Sequence, residues 1–354
     1  MYRLKKLPYK KEFNSIQIYK HLSNANYRIG ELKGLLDSIP YLGINLKLIN
    51  LFESKNSSDI EGVNTCFKSI FIESIAAKKT DSDSSQVVNQ LRATNIIYRD
   101  ITTKNKITIK DLNRIQELIV PDYVGLRKVR GYKIYNKLTH KVLYTPPQNE
   151  YAIMEYYKNL IDYINAKESK YDPLIKMAII HYQFECIQPY KKGNGKVGRI
   201  LNIMSLVHCG RLAYPILNLS KFFNDTKVEY FSLLEKCHND ISYLDEFIIY
   251  VLKGIHETAS YTINFIHQIN RIINITKQEF KKKNPTLFSD KLIEHLFKYP
   301  YTKNELLRID LNISRSTASK YLKSLVDLEF LESEKHGKEI VYKNKQLVNL
   351  FQMN

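Results

Sequence analysis

The chain has 354 residues, with 54 Lys and Arg against 36 Asp and Glu, for a formal net charge of +18. That length suffices for two or three domains with a real core, and 44% hydrophobic with 25% charged residues excludes a disordered or fibrous chain. The apolar runs are short, and the basic start Met1 to Pro8 lacks the apolar centre of a signal peptide, so neither a membrane span nor secretion is expected and the chain reads as cytoplasmic.

Taken in order, the chain reads as mostly α. Ile29, Leu32, Leu35, Leu36 and Ile39 form a helical stripe within Asn24 to Leu51 that stops near Pro40. Ser57-Ser58-Asp59-Ile60-Glu61-Gly62 follows; serine four residues before glutamate also suits an ordinary helix N-terminus with a surface carboxylate. Ser82 to Ser85 reads as a polar loop between helices, and Ile107-Thr108-Ile109-Lys110-Asp111 follows with a capped helix running to about Val120. Between Val124 and Pro147, β-branched and aromatic residues on both sides of Asn136 to His140 suggest a short hairpin over 132–144. An amphipathic helix is expected from Tyr151 to Ala166.

The chemistry gathers at the middle. Asp172-Pro173 is a helix start, an N-cap with proline at the first helical position. Leu174 to Ile187 is apolar on nearly every side, as in a buried helix, and Pro189 cannot continue it. A second apolar run, Ile200 to Cys209, ends at Gly210. Between them lies Gly193-Asn194-Gly195, followed by Lys196 and Arg199. Glycines let successive N–H groups turn toward one point, and the next helix adds its positive end: an anion cradle with two cations beside it. An ordinary turn with solvated lysines has the same Gly-Asn-Gly, so the triplet alone decides nothing.

Further on, a long helix is expected from Phe247 to Phe280, closing in Lys281-Lys282-Lys283-Asn284-Pro285. Ser289 to Phe297 reads as a short helix, Thr302-Lys303-Asn304-Glu305 as a capping box opening a second, and Ser314 as the cap of a third. Phe330 to Tyr342 reads as two strands around Gly337. This order resembles a winged helix-turn-helix. The third helix would expose Arg315, Ser316, Ser319, Lys320 and Lys323, suited to phosphates or base edges, with Lys335, His336 and Lys338 at the wing tip. Such a domain also serves dimerisation or plain packing. The excess charge fits an anionic partner, but lysine is abundant throughout the chain. Cys66, Cys186, Cys209 and Cys237 show no C-x-x-C pair, and His208-Cys209 and Cys237-His238 lack ligand spacing, so no bound metal is expected.

The frame Gln188-Pro189-Tyr190-Lys191-Lys192-Gly193-Asn194-Gly195-Lys196-Val197-Gly198-Arg199 resembles the signature of the Fic family, His-Pro-Phe-x-Asp/Glu-Gly-Asn-Gly-Arg-x-x-Arg. The resemblance covers roughly Asn50 to Ala259. It implies a helical Fic-type core with a small hairpin, and transfer of AMP from ATP to a protein hydroxyl. It implies nucleotide binding by Gly193, Asn194, Gly195, Lys196, Val197, Gly198 and Arg199, with Tyr230 beside the base. The hairpin resembles the flap that takes a target peptide as an added strand. Ser57, Glu61 and Gly62 match the Ser/Thr-x-x-x-Glu-Gly/Asn element of self-inhibited members, whose glutamate pairs with the last motif arginine, here Arg199.

The departures carry equal weight. Gln188 stands in the place of the family's proton-accepting histidine, and an amide accepts no proton near neutral pH. Lys192 replaces the acid that helps hold Mg²⁺, so Mg²⁺ is disfavoured, and an ammonium there suggests a substitute positive charge. Lys196 keeps a charge but loses arginine's fork. The expected layout is a helical region with an inhibitory-type helix over 1–105, a Fic-like core over 106–260, a connecting helix and basic linker over 261–284, and a winged helix-turn-helix over 285–354. Three functions follow: an adenylyltransferase with impaired chemistry, a pseudoenzyme that still binds a nucleotide such as ATP, or a transcriptional regulator contacting DNA through 285–354. A homodimer is compatible with each.

Overall fold

The structure, a computed structural model, describes residues 4–76, 81–128, 130–135, 141–337 and 339–352. The expected centre of the hairpin, 136–140, and Lys338 lie outside the described residues. The architecture is mostly α-helical with two small antiparallel sheets, and it divides into two compact units.

The first helices are α1 (Ile16–Leu36), α2 (Leu42–Ile60), α3 (Phe67–Ile75), α4 (Ser82–Lys104) and α5 (Ile109–Ile119). The early stripe, from Ile29 to Leu36, lies on α1 and stops before Pro40 as expected, while the rest of the span to Leu51 belongs to α2. α1 opens at Ile16 because the Ser15 hydroxyl accepts from the Ile18 N–H, and α2 begins only after Pro40 has broken the chain. Ser82 to Ser85 is not a loop but the first turn of α4. The Asp81 carboxylate takes the N–H groups of Asp83 (3.2 Å) and Ser84 (3.0 Å), so the polar run is capping chemistry. α5 is capped as expected, Thr108 and Asp111 satisfying each other's backbone.

The next elements are β1 (Ile134–Tyr135), β2 (Val142–Tyr144), α6 (Glu150–Asn165), α7 (Pro173–Ile187), α8 (Asn194–His208), α9 (Leu219–Asp225), α10 (Lys227–Asn239) and α11 (Leu244–Lys283). β1 and β2 pair antiparallel, Ile134 opposite Tyr144 and Tyr135 opposite Val142, with a register shift between. One unit comprises residues 1–37, 49–63 and 89–262. Its centre is α7, whose residues from Leu174 to Ile187 are all buried except Lys176 and which packs on α1, α6 and α8. Each large aliphatic side chain buried there contributes about 1.5–3 kcal/mol. α8 starts at Asn194 rather than at the apolar run, so the glycine turn and the helix N-terminus are one feature.

The other unit comprises 38–48, 64–88 and 263–354. Its chain continues with α12 (Asp290–Lys298), β3 (Tyr301–Thr302), α13 (Asn304–Leu311), α14 (Arg315–Asp327), β4 (Glu332–His336), β5 (Glu339–Lys343) and α15 (Lys345–Gln352). The three-helix-then-hairpin order is as expected, and β3 adds to make the sheet order β3-β5-β4. The Thr302 capping box does not form. Pairing of β3 with β5 draws Thr302 into the sheet, where its hydroxyl meets His295 Nε2 at 2.7 Å, and Lys303 takes the N-cap position without a side-chain bond. The unit reaches well beyond 285–354, because Phe351 of α15 packs its ring on Phe67 and Phe71 of α3 (both 5.1 Å between centroids) and on Phe265 of α11 (5.6 Å). Among the described residues no helix is long and apolar enough to cross a membrane.

Candidate functional site

The site is built on the turn from α7 to α8. α7 ends at Gln188, in the left-handed region at φ 45°, and Pro189 blocks its continuation. Asn194 then closes the turn on itself: its side chain accepts from the Tyr190 N–H (2.9 Å) and donates to the Tyr190 carbonyl (2.8 Å). Gly193 caps α8 at φ 87°, and a Cβ there would come within 2.9 Å of Val120 Cγ2, so both backbone and space require glycine. Val197 N–H already donates to the Gly193 carbonyl (3.0 Å). The cradle is therefore the first N–H groups of α8, those of Asn194 and Gly195, to which helix geometry gives no acceptor within the helix. The Val197 side chain points into the core, and Gly198 lets α8 approach α7, where an added Cβ would meet Glu185 Oε1 at 2.9 Å.

Two buried cations stand on this first stretch of α8, Lys196 at 1% and Arg199 at 3% exposure. The end of α2 closes on Arg199. Its Nε donates to Ser57 Oγ (2.7 Å), and its Nη2 donates to the Ser57 carbonyl (2.7 Å) and to Glu61 Oε1 (2.9 Å). Lys196 Nζ stands 4.0 Å from Glu61 Oε2. Gly62 follows at φ 85° and ends the segment. Glu53, earlier in α2, anchors the helix from another side. Its carboxylate accepts from the Ser220 N–H (2.9 Å) and from the Ser220 hydroxyl. Burial raises the Glu53 carboxyl to about 7, against the pull of Ser220 and Arg199.

Gln188 donates its amide to Glu185 Oε2 at 2.8 Å, across one turn of α7. Burial lifts Glu185 to about 7, with Arg199 opposing the rise. His181 offers no alternative base: it is fully buried, its Nε2 is bonded to the Tyr230 hydroxyl (2.9 Å), and burial beside Arg199 depresses it to about 3. Tyr230, expected beside a nucleotide base, is 1% exposed and stacks on Phe223 at 4.8 Å, so as it stands its ring belongs to the core.

Arg127, which the sequence did not single out, clamps the turn from outside. Its Nε donates to the Gln188 carbonyl (2.7 Å) and its Nη2 to the carbonyls of Pro147 and Ile187, where the C-terminal end of α7 favours a cation. Lys192 is exposed, its Nζ 4.2 Å from the centroid of the Tyr123 ring in the 3₁₀ turn Pro121–Tyr123, and Lys191 shares that ring at 4.9 Å. The position where the family's pattern has an acid thus holds an ammonium. Among the described residues no three His, Cys, Asp or Glu side chains gather as metal ligands. The residues present do not fit Mg²⁺.

Of the motif residues, Gln188 and Gly193 to Arg199 come together with Ser57 and Glu61. In the other unit, Arg315, Ser316, Ser319, Lys320 and Lys323 are all exposed on α14, and Lys335 and His336 on β4. Asn304 donates to Ser319 Oγ (2.8 Å), and a groove of about 550 Å³ beside them mixes Arg308 and Arg315 with Glu305 and Glu339. Glu185 and Glu53 had a signal in the sequence, helical spacing from Gln188 and Ser57. Arg127 and Tyr123 had none, since only the fold brings their loop to the motif.

Comparison with known proteins agrees with this geometry. Residues 106–206 match the Fic/DOC family, 19–96 the Fic/DOC family N-terminal domain, and 272–347 the C-terminal domain of the SoFic-like protein adenylyltransferases. The chain therefore carries a Fic/DOC domain flanked by the family's N-terminal domain and a SoFic-like C-terminal domain. Protein adenylyltransferase fic-1 of Caenorhabditis elegans is 25% identical over 187 residues, 51% of this chain and 34% of that protein. A probable protein adenylyltransferase of Aquifex aeolicus is 29% identical over 100 residues, 28% of this chain and 31% of that protein. The matches thus span about a third of each of these two relatives. A Fic family protein from Desulfovibrio desulfuricans shares the fold at a TM-score of 0.59 and 16% identity, covering 96% of this chain and 98% of that one. Fic-1 from C. elegans superposes at 0.54 and 20% identity, over 70% and 71% of the two chains.

Proposed function

We propose that the core is a nucleotide-binding module of the protein adenylyltransferase type, held closed by Glu61 and impaired in AMP transfer. The observation that carries the reading is the grip on Arg199. A buried guanidinium is held by Ser57 Oγ, the Ser57 carbonyl and Glu61 Oε1, directly beside an anion cradle of α8 N–H groups. Glu61, a third exposed, is the one negative partner in that grip and the natural group for a phosphate to displace. The impairment follows from Gln188, an amide in the base's place, and from Lys192 in the acid's place. A protein target would add to the hairpin over 132–144, where Tyr135 and Val142 are exposed.

The test is self-labelling with ATP carrying label on its α-phosphate. Glu61→Gly should remain unlabelled, and Glu61→Gly/Gln188→His with Lys192→Asp should take up label when Mg²⁺ is supplied. Label on Glu61→Gly alone would remove the impairment. Silence from the triple variant would remove the transferase-type pocket. DNA contact through a winged-helix tail is the second reading, favoured by the exposure of all five candidate residues on α14. Fluorescence anisotropy of duplex DNA against the full chain decides it: affinity should fall with salt and with Lys320→Ala.

A further inference from the structure

We propose that Lys192 takes the part of a divalent cation, so that this site accepts the polyphosphate of a nucleotide without metal. The proposal rests on the nucleotide reading above and concerns how that ligand's charge is met. The first support is ligand chemistry. An ammonium has no lone pair to give a metal and repels one. Of the carboxylates around the turn, Glu61, a third exposed, is bonded to Arg199 (2.9 Å), buried Glu53 to Ser220 (2.9 Å), and buried Glu185 to Gln188 through Oε2 (2.8 Å), which leaves only its Oε1 without a partner.

The second support is net charge. A carboxylate holding a divalent cation presents one net positive charge to the phosphates, and one ammonium presents the same. The substitution therefore preserves the field at that place while dispensing with the ion.

The third support is that the position is built. Gln116, fully buried, donates to the Tyr123 carbonyl (2.7 Å) and to the Lys192 carbonyl (3.4 Å), and accepts from the Gly125 N–H (3.2 Å). One side chain thus ties the aromatic turn to the lysine's own backbone. Gly193, next in the chain, lies tight against Val120 and fixes the distance from Lys192 to the α8 N-terminus. The ammonium rests on the Tyr123 ring, 4.2 Å from its centroid, in water. It can leave that ring for a phosphate without stranding a buried charge.

The experiment is calorimetric titration of ATP into the full chain carrying Glu61→Gly, once in EDTA and once in Mg²⁺. The expected result is equal affinity in the two buffers. Adding Lys192→Ala should weaken binding about tenfold in both, the scale of one partly screened charge lost near a phosphate. Adding Lys192→Asp should weaken it in EDTA and recover it in Mg²⁺. ATP binding by Glu61→Gly only in Mg²⁺, or unchanged affinity of the Lys192→Ala variant in EDTA, would overturn the proposal. Absence of binding in both buffers by Glu61→Gly, with and without Lys192→Asp and with an unchanged circular dichroism spectrum, would remove the nucleotide reading and the proposal with it.

Discussion

The start of α8 and the face of α14 both carry basic side chains near a helix N-terminus, and they differ in what surrounds those charges. On α8, Lys196 and Arg199 are buried and Arg199 is held by Ser57 of α2 and by Glu61 just beyond it. On α14, Arg315, Lys320 and Lys323 stand in water. Burying a charge costs several kcal/mol unless partners return it, so a buried cation reports an organised site. An exposed one costs little to keep, so it is available to an anionic partner without being evidence of an organised site.

The largest test of that contrast is Arg199→Ala against Arg315→Ala. Removing Arg199 strips Glu61 and Ser57 of their partner and leaves a cavity, and should lower the unfolding free energy by about 3 kcal/mol. Arg315→Ala should stay within about 0.5 kcal/mol. Urea unfolding of both variants measures the difference; equal losses would erase the distinction.

Next comes pH. Folded Glu185 and Glu53 keep their protons to about 7, whereas unfolded glutamates release theirs near 4.5. Between those values the folded chain binds more protons, so its stability falls as pH rises through the window. Glu185→Gln should flatten that slope, by about 3 kcal/mol across the window. An unchanged pH profile would mean that Glu185 ionises normally.

Two glycines sharpen the comparison further. Gly193→Ala meets both a positive φ and Val120, and should cost about 2 kcal/mol by thermal unfolding. Gly337→Ala in the turn between β4 and β5 has the same kind of φ, at 59°, but open space, and should cost about 1 kcal/mol. The smallest effect belongs to Lys320→Ala, neutral for stability to within about 0.5 kcal/mol.

The two regions were also unequally legible beforehand. Most helices were readable, because apolar spacing and caps such as Asp172-Pro173 and Ser314 act locally, whereas α3, α9 and α15 were not singled out. Errors came where a polar run had two uses. Ser82 to Ser85 read as a loop until Asp81 was seen capping it, and Thr302 read as a cap until β3 took it into a sheet.

By itself the sequence determined most of the helices and the glycine turn, because each depends on residue types at fixed spacing along one chain, whereas the pairing of Glu61 with Arg199, distant in the chain, was legible only through the resemblance to the Fic family. Tertiary structure alone decided the rest. It brought Arg127 and Gln116 onto the turn, seated Lys192 on Tyr123, buried Tyr230 against Phe223 and gathered 38–48 and 64–88 into the unit of the C-terminal helices. The physical reason is the same in each case. Most of these contacts join segments far apart in the chain, and desolvation, which buries Tyr230 and sets the charge state of Glu53, Glu185 and His181, exists only once the segments have packed.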